Sequence, residues 1–150
     1  MNLVANLWFF LALGSAISWG LGYTYVDKIL KDGLNPFLLL TFMVIPQAVA
    51  YFIFFMIGRG DLKAQFRLVQ EPAMAGALAI AVAAFIAGNA LIFSSIQMKN
   101  ASLANIIEIS YPIFVVLFSW LIFKESGVNL YTLLGGLLIF SGVTLILLKS

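Results

Sequence analysis

The 150-residue chain contains no cysteine and no histidine. Without thiols it can form no disulfide and run no thiol chemistry. Without imidazole it lacks a common transition-metal ligand and the base of a Ser/His or Cys/His pair. No nucleophile, metal set or paired acid and base is evident, so an intramembrane enzyme ranks last among the functional classes, and neither metal nor cofactor is expected. Charge is scarce too. Only 9% of residues are charged, against roughly a quarter in soluble domains. The eight Lys and Arg and six Asp and Glu are scattered, so the pI of 9.0 does not point to nucleic acid.

What fills the chain is apolar: 63% of residues are hydrophobic and the mean hydropathy is +1.10. Long runs approach or exceed the ~20 residues that cross a ~30 Å hydrocarbon layer. The composition predicts an all-α integral membrane protein, one domain over residues 1–150, with five spans at 7–26, 36–57, 73–97, 101–123 and 129–148. Pro36 and Pro72 follow Asn35 and Glu71, where a first helical residue needs no amide hydrogen. Asn100 or Ser102, and Asn129, are N-cap candidates for the last two spans. No Lys or Arg precedes the first apolar stretch, whereas a cleaved signal peptide opens on a basic segment, so the first helix is expected to be retained. Between the second and third spans, Leu62, Phe66 and Val69 fall on one helical face and Lys63 and Arg67 on another. That pattern fits a short interfacial helix resting on lipid headgroups.

Small residues mark helix contacts, because they let backbones approach closely in a bilayer. Gly14, Ser18 and Gly22 form one stripe, Ala77, Ala81, Ala84 and Gly88 another, and Gly135 and Gly142 lie seven apart. Packing within the chain is the expectation for each. Trp8, Trp120 and Tyr131, near span ends, fit interfacial anchors.

Loop charge is balanced. The side of the membrane holding the N-terminus, side A, carries Arg59, Lys63, Arg67 and Lys124; the opposite side B carries Lys28, Lys31, Lys99 and Lys149. Because a Lys and Arg bias sets orientation, a chain without one has no preferred way to insert. With an odd number of spans, two copies inserted oppositely become inverted repeats, the architecture behind many transporters. An antiparallel homodimer is therefore expected.

Glu108 is the one ionisable acid or base within an expected span, and such residues usually face a cavity or a partner. At 1.5 Å per residue it lies ~10 Å below side B, as does Trp19, while Asn89 comes out at ~12 Å and Gln47 at ~16 Å. Asn105 and Tyr111, three residues either side of Glu108, can share its face, and Tyr23, one turn beyond Trp19, lines the way toward side B. Low dielectric disfavours an ionised carboxyl, so this group can hold a proton or, once ionised, a cationic ligand. Pro46 and Pro112 lie inside spans, where each removes a backbone hydrogen bond and offers a kink at which a gate could move.

With these residues placed, the chain resembles a single EamA-type repeat of the drug/metabolite transporter superfamily. The likeness begins with AISWGLGYTYVDKIL and LNPFLLL and is strongest from NALIFSSIQMKNASLANIIEISYPIFVVLFSWLIFKESGVNLYTLLGGLLIFSGVTLILL. Within it Asn100 to Asn105 match the small-residue entry to the fourth helix, Pro112 its internal proline, Glu125 its acidic close, and Gly135 to Gly142 the glycine pattern of the fifth. Met43 stands where the family often carries an Arg, so no anion clamp is implied there. The usual family protein has two inverted repeats and this sequence has one, so the resemblance implies that two chains assemble. Glu108 rests on the argument from its residues, with an analogy to the membrane Glu of small multidrug resistance transporters.

The expected function is a proton-coupled secondary transporter exporting small cationic, amine-bearing or amphipathic metabolites or drugs. Its partners would be that substrate, protons and lipids, and its place a prokaryotic inner or plasma membrane. The alternative is a non-transporting scaffold, or a half-subunit of a hetero-oligomeric transporter.

Overall fold

A computed structural model of the chain describes residues 7–58, 60–124 and 130–148. All regular elements among them are helical. They divide into two compact units, residues 1–98 and 99–150.

The first unit holds α1 (Leu7–Lys31), α2 (Pro36–Ile57), α3 (Leu62–Gln70) and α4 (Pro72–Met98). α1 runs five residues past its expected end at 26 and takes in Asp27, Lys28 and Lys31. These charges looked like loop residues, but on a helix Asp27 and Lys31 lie one turn apart and pair as a salt bridge. Lys28 and Lys31 also sit in the last turn, where cations oppose the negative end of the helix dipole. The helix stops at Gly33, whose φ of 98° few other residues adopt easily. The Gly33 amide donates to Leu30 O at 3.1 Å and the Leu34 amide to Ile29 O at 3.3 Å, the paired bonds of a Schellman close. Two residues on, the Asn35 side chain accepts from the amides of Phe37 at 2.9 Å and Leu38 at 3.2 Å, and Pro36 opens α2 as expected. α2 continues unbroken across Pro46.

α3 confirms the short amphipathic helix. Asp61 caps it by accepting from Ala64 N at 3.2 Å. Leu62, Phe66 and Val69 line an open groove of about 340 Å³ with Gln65 and with Phe52 and Phe55 of α2. The Phe55 ring packs over Gly60 in the turn before α3, where a Cβ would lie 2.1 Å from it, so a larger residue there would have to displace the ring.

Val26 and Leu30 near the end of α1, Leu39 near the start of α2, and Phe93 and Ile96 near the end of α4 are buried. Tyr23 adds an edge-on ring contact with Phe93 at 6.4 Å. Elsewhere these helices are mostly exposed. Of the most apolar 18-residue window in each of α1, α2 and α4, 6% is buried, leaving broad faces for lipid or another chain. The small-residue stripes belong to those faces: a Cβ added at Gly14, Gly22 or Gly88 would meet nothing within 4 Å. Within the first unit, the described residues form no close packing at these three glycines.

The second unit holds α5 (Ala101–Glu108), α6 (Tyr111–Phe118), a π-helical turn (Ser119–Phe123) and α7 (Leu130–Leu147). Asn100, not Ser102, caps α5, accepting from Leu103 N at 2.9 Å. The candidate cap Asn129 and the acidic Glu125 lie outside the described residues. The π turn ends on Lys124 at φ 59°, with its ammonium 5.8 Å from the centre of the Trp120 ring. α7 approaches α6 through Gly136, where an added Cβ would lie 3.3 Å from Ile113 Cγ1, while Gly135 and Gly142 face open space.

Four stretches are long and apolar enough to cross a membrane: Leu7–Lys31, Pro36–Ile57, Pro72–Met98 and Ala101–Phe123. α7 is an 18-residue helix whose described part includes the apolar stretch Leu134–Ile146.

Asn35 satisfies two amides of α2, so Asn35→Ala is expected to cost about 1 kcal/mol and to lower the unfolding temperature in detergent. Asn35→Asp keeps an acceptor at the cap and should leave that temperature close to wild type.

Candidate functional site

The fourth expected span is interrupted, and the interruption follows Glu108. Pro112 has no amide hydrogen to give the Glu108 carbonyl, so the ladder cannot pass. Ser110 closes the gap locally: its amide donates to Ile107 O at 3.1 Å and its Oγ to the same oxygen at 2.7 Å. Ile113 N then donates to Ser110 O at 3.1 Å, restarting the chain as α6. A hydroxyl competing for backbone carbonyls two residues ahead of a proline favours a turn over a simple kink. Pro46 has no such neighbour, and there the helix holds. Ser110 is not among the residues singled out from the sequence; its hydroxyl two residues ahead of Pro112 is the signal for this turn.

On α5 the less exposed residues include Ala101, Ala104, Asn105 and Glu108, with Ala101 and Ala104 buried. Their spacing of i, i+3, i+4 and i+7 makes one continuous stripe. Ile106, Ile107 and Ile109 are exposed. The helix thus divides into an isoleucine face suited to lipid and a covered face of small and polar residues. Glu108 and Asn105 lie on the covered face, where an intramembrane polar residue belongs.

Asn105 stands apart from the other polar side chains of the spans. Ser18, Thr24, Thr41, Ser94, Ser141 and Thr144 each donate to the carbonyl four residues back, at 2.7–2.9 Å. Asn105 Oδ1 is closed off from solvent and accepts no hydrogen bond, the one side-chain atom among the described residues in that state.

The remaining candidates are placed separately. Tyr111 lies beyond the interruption and is 51% exposed, because the turn at Ile109 and Ser110 breaks the face it would have shared with Glu108 on a continuous helix. In the first unit Tyr23 is half-buried against Phe93, while Gln47 and Asn89 are exposed and Trp19 is 60% exposed. No group of three or more acidic residues that could hold a metal occurs among the described residues.

No curated protein and no solved structure is significantly similar to this sequence. A family model described as the EamA-like transporter family matches residues 6–148, nearly the whole chain and the resemblance read from its glycines and prolines. The chain therefore belongs to the EamA-like transporter family, within the drug/metabolite transporter superfamily.

Proposed function

We propose that this chain is a proton-coupled secondary transporter that exports small cationic, amine-bearing or amphipathic molecules. In this reading α7 is a fifth span and the working unit is an antiparallel homodimer. The position of Glu108 carries the reading: it lies on the covered stripe of α5 and is the last residue before the interrupted turn. A carboxyl in such a place can hold a proton or, when ionised, pair with a cation, and the two occupants exclude each other. That exclusion is the coupling. The interruption beside it supplies movement, because two short helices joined by a turn can change their relative angle without breaking a continuous ladder. Pro112 is then the gating proline beside Glu108, and Pro46 is proposed as a second gating position, inside α2. By their expected depth and spacing in the spans, Trp19, Tyr23, Gln47, Asn89, Asn105 and Tyr111 are proposed as further substrate-binding or proton-coupling residues.

Two features support pairing. Lys and Arg are divided four against four between the two sides, and five spans let oppositely inserted copies form the family's two inverted repeats. The open stripe of Gly14, Ser18 and Gly22 on α1 provides a surface on which backbones can approach closely.

Glu108→Gln keeps the size of the side chain but removes its ionisation. It is expected to abolish flux driven by a proton gradient in liposomes, with the unfolding temperature retained. In wild type, cation binding should strengthen as pH rises and Glu108 loses its proton, and in the Gln variant it should no longer vary with pH. Unchanged flux in the variant would instead favour a scaffold. Reporter fusions after Ser150 are expected to report from both sides of the membrane; a single side would exclude dual insertion and favour a parallel dimer or a separate partner chain.

A further inference from the structure

We infer that Asn105 reads the N–H groups of the ligand, so that the site on α5 selects primary and secondary ammonium ions over tertiary and quaternary ones. The inference rests on the reading of Glu108 as the cation-binding group. It begins from the unpaired oxygen. Asn105 Oδ1 is enclosed and accepts no hydrogen bond, although leaving a buried acceptor unmade is costly and native structures seldom do so. The span hydroxyls show how such groups are ordinarily settled, each bonding to a carbonyl of its own helix. Asn105 has no such route. The carbonyl oxygen of an amide can only accept, and a donor of its own is what it lacks.

Asn105 and Glu108 are three residues apart on one covered stripe, which puts their side chains about 5–6 Å apart at Cβ. An ammonium seated between them would meet two acceptors, a carboxylate and an amide oxygen. Satisfying both requires two N–H groups. A primary ammonium has three and a secondary one has two. A tertiary ammonium has one, which the carboxylate takes as the stronger acceptor, and a quaternary ammonium has none. Affinity is therefore set by the number of N–H groups, with a step between the secondary and tertiary members. Hydrogen bonds to charged groups contribute enough for that step to be roughly tenfold or more.

The test uses 2-phenylethylammonium and its N-methyl, N,N-dimethyl and N,N,N-trimethyl derivatives, titrated by calorimetry against the purified full-length protein at a pH where Glu108 is ionised. Successive methyl groups make the series more apolar, so hydrophobic burial alone gives a smooth rise in affinity. The expected result is a drop of roughly tenfold or more between the N-methyl and N,N-dimethyl members in wild type. Asn105→Leu, close to Asn in shape but without an acceptor, should move the drop to between the N,N-dimethyl and N,N,N-trimethyl members, with pH-dependent binding preserved. A smooth wild-type series with pH-dependent binding would overturn the inference and leave the role of Glu108 standing, as would an unmoved drop in Asn105→Leu. Binding of the whole series with no pH dependence and no effect of Glu108→Gln would overturn the reading on which it rests. Should Asn105→Leu not fold, Asn105→Ala is used to locate the drop, and the wild-type series decides by itself whether the drop exists.

Discussion

Inside a bilayer a backbone amide or carbonyl without a partner has no water to turn to, and this constraint orders the chain from end to end. It explains why the apolar runs are helical, since a helix is the structure that satisfies its own backbone within one segment. It explains the helix ends, where Gly33, Asn35, Asp61 and Asn100 close or cap exposed backbone groups. It also explains the hydroxyls of Ser18, Thr41, Ser94 and Thr144, which return to carbonyls of their own helices. Among the described residues, the turn between Glu108 and Pro112 divides one apolar stretch into two helices. The adjoining residues are an acid and an amide on a covered face. Irregular backbone at membrane depth is tolerated where it is enclosed by protein or lines a cavity, and the proposed function is placed at this turn for that reason.

Much of the fold was legible from a few kinds of residue. Pro36 and Pro72 open α2 and α4 because a first helical position has no use for an amide hydrogen. Leu62, Phe66 and Val69 announced α3 by their spacing. The end of α1 was misread because Asp27, Lys28 and Lys31 look like a loop until their i, i+4 pairing is considered. The small-residue stripes were legible as close-packing surfaces but not as to what they pack on. Gly136 meets Ile113, whereas Gly14, Gly22, Gly88, Gly135 and Gly142 meet nothing. Spacing within one sequence distinguishes a smooth face from a bulky one and carries no information about its partner.

The candidate site was legible to a similar depth. Glu108 stood out because an ionisable residue in an apolar run is costly, and Pro112 because it cannot donate to a helical carbonyl. That the two act on one turn depends on Ser110, whose amide and hydroxyl both donate hydrogen bonds to Ile107 O and convert an expected kink into a break. The break in turn removes Tyr111 from the face of Asn105 and Glu108. The exposure of Trp19, Gln47 and Asn89 fits a chain whose broad uncovered faces await lipid or a second copy.

In the proposed mechanism one carboxyl, Glu108, exchanges a proton for a cationic ligand. Proton release is its most direct measure. Purified protein in weakly buffered solution, below the pH at which Glu108 loses its proton, is mixed with saturating 2-phenylethylammonium while free protons are followed with an indicator dye. Binding is expected to release protons, with less release as the starting pH is raised and the site empties of protons beforehand, and with none from Glu108→Gln. Binding by wild type with no proton release across that pH range would contradict it.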